Sequence, residues 1–189
     1  MALPQQKLSL ADYLAWENEQ DERHEYYRGE VFAMVGVKRI HGLVTGNVLF
    51  ALRQQLKGKS GQVLGPSLKV QIGEDMVFYP DVFVTCDAAD LRTDYLFRAP
   101  TVIVEVLSES TRGYDYDTKF AAYRRLPALR EYLLIDPENR RVDLFRRGEN
   151  GLFTLYDYTG AEDFPLEAIA CRLSLAEIFD GIEAIPGGD

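Results

Sequence analysis

Two carboxylates interrupt segments of the chain that otherwise have the composition of buried strands. Glu105 lies within TVIVEVLSES, residues 101–110, and Asp81 follows Pro80 in YPDVFV. An unpaired buried carboxylate is costly and tends to take up a proton, so each acid needs a cation, a hydrogen-bond network or a metal ion beside it. Two acids on neighbouring strands would share a divalent cation, because Mg²⁺ favours one or two carboxylates with water and leaves coordination sites for a phosphate. The alternative is that they are two unrelated polar exceptions in a core.

A lysine in the next segment is a candidate third member of this site. In STRGYDYDTKFAAY, Asp115 and Lys119 stand four residues apart and share one face of a predicted helix. That helix begins within a few residues of the strand that carries Glu105. Lys119 would therefore reach the acid pair and act on an attacking water or on negative charge developing at a phosphate. The alternative is an ordinary ion pair on the surface of the helix.

A mixture of strands and helices has to position these side chains. The periodicity predicts a helix capped by Ser9, a hairpin turning at Arg28-Gly29 and a helix over 41–59, which Gly58 and Gly61 bring to an end. It then predicts strands over 62–72, 77–85 and 101–107 and a helix over 114–126. Paired strands over 131–137 and 141–147, a strand over 151–159 and a closing helix over 174–182 complete the order. No repeat or linker divides this order. The sequence therefore predicts an α/β (or α+β) fold in a single domain, residues 1–189.

The composition of the chain excludes several classes of protein. Its 189 residues are 47% apolar and 12% aromatic, which favours one well-packed domain over disorder. No apolar run approaches the roughly 18 residues of a membrane span, and MALPQQKLSL lacks the pattern of a secretory signal. Cys86 and Cys171 lie in unrelated contexts and support neither a disulfide framework nor a cysteine zinc site. We expect a cytoplasmic protein without a membrane partner.

The net charge of −9 hides an uneven distribution of charge along the chain. Residues 31–73 contain six Lys or Arg and no acid, and residues 112–147 contain nine basic against six acidic residues. The segment from 148 to 189 has nine acids and one Arg, which gives it a charge of −8. The two basic blocks either form a local patch for a nucleic acid or are solvated helix faces.

Four motifs in fixed order resemble a known family. They are the PD of residues 80–81, VEVLS, the pattern D-x-x-x-K-x-x-x-Y that begins at Asp115, and EYLLIDP. This order resembles the Uma-two family of restriction-endonuclease-like proteins, within the PD-(D/E)XK nuclease superfamily, and the resemblance runs from about Leu10 to Arg147. It implies a restriction-endonuclease-like fold, in which a central mixed β-sheet is flanked by helices and carries a metal site at one edge.

The resemblance also implies roles for residues of the central motifs. Asp81 corresponds to the aspartate of the PD motif and Glu105 to the acid of the (D/E)XK motif, and the main-chain carbonyl of Val106 is a further expected metal ligand. The superfamily pattern has lysine at the position of Leu107. In the Uma-two family the lysine moves to the following helix, where Lys119 matches it.

Two residues in the first part of the chain also match family positions. Glu30, in YRGEVF, matches an N-terminal acid and is expected to contact the metal or the water, although it is equally well explained as a turn residue beside Arg28. His41 stands at the start of the first long helix and is a possible substrate contact, with a structural role as the alternative.

The resemblance implies an endonuclease that hydrolyses DNA with Mg²⁺ or Mn²⁺ and acts as a homodimer. The basic residues of 41–59 and 124–147 would then contact backbone phosphates. Two other functions stay open: a non-catalytic interaction module on the same fold, and a hydrolase for a small phosphorylated molecule. Metal affinity separates the endonuclease from the first alternative, and DNA affinity separates it from the second.

Overall fold

A six-stranded mixed sheet forms the centre of the computed structural model, which describes residues 7–182. Its strands are, in spatial order, β11 (Phe153–Asp157), β10 (Arg141–Arg147), β9 (Glu131–Asp136), β8 (Pro100–Val106), β6 (Val82–Thr85) and β3 (Gln62–Leu64). The neighbours β8 and β9 are parallel, and the other pairs are antiparallel. The middle strands are buried along most of their length, which explains why PTVIVEV and EYLLID are almost continuously apolar.

A second sheet of five strands holds the N-terminal hairpin. Its spatial order is β2 (Glu30–Ala33), β1 (His24–Tyr27), β5 (Met76–Phe78), β4 (Lys69–Ile72) and β7 (Leu96–Phe97). A separate hairpin joins β12 (Asp163–Leu166) to β13 (Cys171–Ser174). The sequence pattern missed β7, β12 and β13, which have only two to four residues each.

Helices pack on both sides of these sheets. They are α1 (Leu10–Glu17), α2 (Arg39–Leu56), α3 (Arg112–Tyr114), α4 (Phe120–Tyr123) and α5 (Leu175–Ile178), with a π-helical turn over Asp115–Lys119 between α3 and α4. Ser9 caps α1 by accepting the Asp12 N–H, as predicted. α2 ends before the predicted residue 59, and Gly58 follows in the left-handed conformation with φ +79°. No helix among the described residues is long and apolar enough to cross a membrane.

The two faces of β8 face two different cores. Val102, Val104 and Val106 pack with the apolar side of α2, whereas Ile103 and Leu107 pack with the aromatic residues of α4 and β9. Period-two alternation places Glu105 on the second face, as predicted. The mixed sheet flanked by helices confirms the predicted fold class. A single domain over 1–189 remains a prediction, and residues 1–6 and 183–189 lie outside the described part.

The predicted strands 62–72 and 77–85 are each divided between the two sheets. Residues 65–68 separate β3 from β4, and Pro80-Asp81 separates β5 from β6. Proline has no N–H to donate to a sheet ladder, so the strand breaks there and the chain passes from the five-stranded sheet to the six-stranded one. Asp81 therefore lies where the two sheets meet.

Candidate active site

Asp81 and Glu105 are tied to each other through the backbone. The Val106 N–H donates to Asp81 Oδ2 at 2.8 Å, and the Asp81 N–H donates to Glu105 Oε2 at 3.4 Å. The pairing of Val82 with Val104 sets this register between β6 and β8. The Glu105 residue is 3% exposed, while the Asp81 side chain is 17% exposed. Glu105 is therefore buried, whereas Asp81 is partly open to the solvent.

Lys119 lies against Glu105 and two further carboxylates. Its Nζ is 3.2 Å from Glu105 Oε1, 2.9 Å from Glu25 Oε1 and 3.5 Å from Asp115 Oδ1. The predicted pairing with Asp115 is thus present, but it is buried and belongs to the larger cluster. The Tyr123 hydroxyl, from the tyrosine that ends the D-x-x-x-K-x-x-x-Y pattern, also donates to Glu105 Oε1, at 3.0 Å. The π-helical turn carries both Asp115 and Lys119, as such turns often do at functional sites.

Glu25, which the sequence analysis did not single out, joins this cluster in place of Glu30. Glu25 lies on β1, is buried, and also accepts the Tyr79 N–H at 3.3 Å. Glu30 is exposed beside the turn of the hairpin, paired with Tyr27, and does not line the site. The structure therefore does not bring Glu30 to this group of acids, and its expected contact with a metal or a water stays a prediction. The available signal for Glu25 was an acid within HEYY, a predicted strand that also contains two tyrosines.

His41 is buried in the first turn of α2, next to Asp81. Its Nε2 lies 3.2 Å from Asp81 Oδ2, and its Nδ1 lies 3.5 Å from the Thr45 hydroxyl. Burial lowers the pKa of His41, but the hydrogen bond and the charge of Asp81 outweigh burial and raise the pKa above its ordinary value. His41 thus contacts an acid of the site. A direct contact between His41 and a substrate stays a prediction.

Negative charge exceeds positive charge in this group. Burial raises the pKa of Glu105 well above its ordinary value, and the nearby carboxylates raise it further although Lys119 lowers it. Burial raises the pKa of Asp115 in the same way. Four acids thus face one lysine and one histidine, and such a group favours a divalent cation at its open side.

The donor set suits a cation that keeps some of its water. Among residues 7–182, no group of three or more His, Cys, Asp or Glu side chains is arranged to hold a metal ion. The expected ligands, which stay a prediction, are two carboxylates, Asp81 and Glu105, and the carbonyl of Val106. Mg²⁺ commonly uses one or two carboxylates and completes its shell with water, so this set fits Mg²⁺.

An open cleft of about 830 Å³ leads to these acids. One wall consists of residues 32–38 and another of residues 108–111. The buried hydroxyl of Tyr114, which also lines the cleft, has no hydrogen-bond partner among the described residues.

The basic residues of the two predicted phosphate-binding segments lie elsewhere. Of the lysines and arginines in the described residues, only Lys38 and Lys119 line the cleft. Within 41–59, Lys59 donates to the Ala170 carbonyl just beyond the last turn of α2. The 18 residues of α2 put that end roughly 27 Å from the first turn, where His41 lies. Within 124–147, Arg146 pairs with Glu131 at 2.8 Å. Neither segment forms a basic wall around the site.

Comparisons with known proteins agree with this architecture. The family model Uma2, described as "Putative restriction endonuclease", matches residues 10–176. Two uncharacterized proteins of Synechocystis are similar: slr1290 is 32% identical over 180 residues, 95% of each chain, and sll1609 is 32% identical over 143 residues, 74% of this chain and 81% of that one.

A solved structure shows the same fold. The crystal structure of "a putative nuclease belonging to DUF820" from Anabaena variabilis has a TM-score of 0.76 and 17% identity, covering 91% of this chain and 97% of that chain. At this identity the likeness concerns the fold alone.

Proposed function

The chain belongs to the Uma2 family, and on that premise we propose that it is a Mg²⁺- or Mn²⁺-dependent endonuclease that hydrolyses phosphodiester bonds in DNA. The observation that carries the proposal is the meeting of Asp81, Glu105 and Lys119 at the floor of an open cleft. These side chains come from a strand junction, a strand and a π-helical turn. A merely structural ion pair would not need four acids around one lysine at the end of an open cleft.

Asp81, Glu105 and the Val106 carbonyl would hold the cation. When bound, the cation polarises the scissile phosphate and lowers the pKa of a bound water. The Val106 N–H and His41 both contact Asp81 Oδ2, which leaves Oδ1 for coordination. His41 is thus a positioning residue for the acid that lies nearer the solvent.

Lys119 would orient the attacking water or stabilise charge on the phosphate. An ammonium group has three N–H donors, and three carboxylates face this one. The contact with Asp115 is the longest, at 3.5 Å, so this is the one that Lys119 would exchange for a water or a phosphate oxygen. Glu25 and Glu105 would keep the amine in place and charged.

The proposal is tested by cleavage of plasmid, linear duplex and single-stranded DNA with Mg²⁺, with Mn²⁺ and with EDTA. We expect cleavage only with metal, and a loss of about 10³-fold in the Asp81→Ala/Glu105→Ala double variant. The control is Glu149→Ala/Asp157→Ala, which removes two exposed acids outside the cleft. Cleavage that persists in the double variant would reject the assigned site.

Absence of both cleavage and metal binding in the wild type would favour the alternative, a non-catalytic interaction module on the same fold.

A homodimer stays a prediction, by analogy with restriction enzymes that cut both strands. Light scattering that shows a monomer under cleavage conditions would contradict it.

Replacing Glu25 by glutamine should slow cleavage by about 10- to 100-fold without lowering metal affinity. The change removes the charge closest to the Lys119 amine, and a hydrogen bond to a charged group contributes about 1.5–3 kcal/mol. The matched control is Glu30→Gln, which changes an exposed acid directly after the turn, at the start of the partner strand β2. Initial cleavage rates and metal titrations measure both variants. Equal losses in the two variants would contradict the role of Glu25.

A further inference from the structure

An uninterrupted apolar segment is exposed at the mouth of the cleft. Residues 32–37 read F-A-M-V-G-V, and all six are exposed, with Phe32 at 45%, Val35 at 73% and Val37 at 61%. We call residues 32–37 the apolar rim. A run of this length on a surface is unfavourable for solubility and contributes little to the core, so it indicates a binding role.

The apolar rim adjoins the acidic group directly. Phe32 pairs with Glu25 across the ladder between β2 and β1, which places the two side chains on the same face of the sheet. All residues of the rim line the cleft that contains Asp81 and Glu105. A phosphate held at these acids through the cation would therefore place the sugars and bases next to it against an apolar wall.

Two cations follow the rim in the sequence. Lys38 lines the cleft and lies 2.8 Å from Glu138 Oε1, and Arg39 is exposed at the start of α2. One continuous strip thus offers apolar contact first and positive charge next. That order matches a nucleotide strand, in which flat apolar bases alternate with phosphates, better than it matches a uniformly apolar partner.

We propose that the apolar rim contacts unstacked nucleobases beside the scissile phosphate, so that the preferred substrate is single-stranded or locally unpaired DNA. A duplex hides the faces of its bases and offers only their edges in the grooves, whereas a single strand presents every face for stacking on apolar and aromatic side chains. Phe32 is the stacking residue, and Met34 and Val35 extend its surface. This inference rests on the proposed nuclease function.

The test compares binding of a labelled single-stranded oligonucleotide and its duplex by fluorescence anisotropy in EDTA, where metal-dependent cleavage is absent. The wild type should bind the single strand at least about tenfold more tightly, which corresponds to stacking of one base. The variant Phe32→Ser/Met34→Ser/Val35→Ser should lose this preference. The single variant Val35→Ser, at the most exposed rim position, should weaken single-strand binding without changing the melting temperature.

The matched control is Leu152→Ser/Leu155→Ser, which removes two exposed apolar side chains at β11 that do not line the cleft. It should keep the wild-type preference. Equal binding of both DNA forms by the wild type, or an unchanged preference in the rim variants, would overturn the inference. So would a dimer that becomes a monomer in the rim variant while DNA binding is unaffected, because a second copy would then cover the rim.

Cleavage assays separate this inference from the proposed function. If Asp81-dependent cleavage of duplex DNA is unchanged in the rim variants and single strands are not preferred, the inference fails and the nuclease function stands. If no DNA form is cut or bound by the wild type, both fail together.

Discussion

Replacing Lys119 by methionine is expected to abolish metal-dependent cleavage and to lower the free energy of unfolding by about 3–5 kcal/mol. Lys119 is 7% exposed and lies within 3.5 Å of Glu25, Glu105 and Asp115. Methionine fills a similar volume but leaves three buried carboxylates without their common cation. The cost arises because those charges have lost both water and partner. Proton uptake by the carboxyl groups limits it, so the destabilisation should be smaller in acid than at neutral pH.

Urea unfolding and cleavage rates measure the two effects of Lys119→Met. The affinity for divalent metal should not fall, since the lysine is not a metal ligand and its removal leaves more negative charge near the cation. The control is Arg172→Met, which breaks an exposed pair with Asp163 and should leave the free energy of unfolding close to the wild-type value, because water screens such a pair. Wild-type cleavage in Lys119→Met would show that Lys119 has no part in the chemistry.

Local patterns explain why the proximity of Asp81, Glu105 and Lys119 could be predicted from the sequence. Period-two alternation assigns Glu105 to one face of its strand, and the short connection to the helical segment keeps Lys119 near the end of that strand. The junction at Pro80 marks Asp81 as a residue at the end of a strand. Each of these inferences needs only a few neighbouring residues.

The choice between Glu25 and Glu30 depends on information that local patterns do not contain. Both acids belong to one hairpin, and alternation places both on the same face. Which of them reaches Lys119 is set by the pairing of β1 with β5 and by the position of the turn at Arg28-Gly29. The pairing of strands some fifty residues apart is a tertiary property, and a single sequence shows it only weakly.

The distribution of basic residues was similarly uninformative about DNA contacts. Arg141 and Arg146 add to the positive count of residues 112–147, yet they pair with buried Asp143 and Glu131. A count of charges does not tell which of them are already matched inside the fold. The apolar rim contains no charged residue and directly continues the second strand of the predicted hairpin. The sequence pattern therefore did not distinguish it from that strand.

Replacing Glu105 by glutamine should abolish metal-dependent cleavage and at the same time raise the free energy of unfolding of the metal-free protein. Glutamine keeps an oxygen that accepts from Lys119 and Tyr123, and it gives up only the long bond of 3.4 Å that Glu105 Oε2 accepts from the Asp81 N–H. It removes a charge that burial and neighbouring acids disfavour, as the raised pKa of Glu105 indicates. It also removes a carboxylate ligand, so metal affinity should fall sharply. Opposite effects on stability and activity are typical of a residue retained for function.

The pH dependence of stability gives this prediction its sign. Because the pKa of Glu105 is raised, the folded protein keeps a proton over a pH range in which the unfolded chain has lost it, and wild-type stability falls as the pH rises through that range. Glutamine does not titrate. The advantage of Glu105→Gln over the wild type should therefore be absent in acid, grow as the pH rises from the ordinary pKa of a glutamate to the raised pKa of Glu105, and stay constant above it. Urea unfolding at a series of pH values in EDTA measures this difference. A variant less stable than the wild type at neutral pH would show that the Glu105 charge stabilises the fold, and its placement as a metal ligand would lose its main physical support.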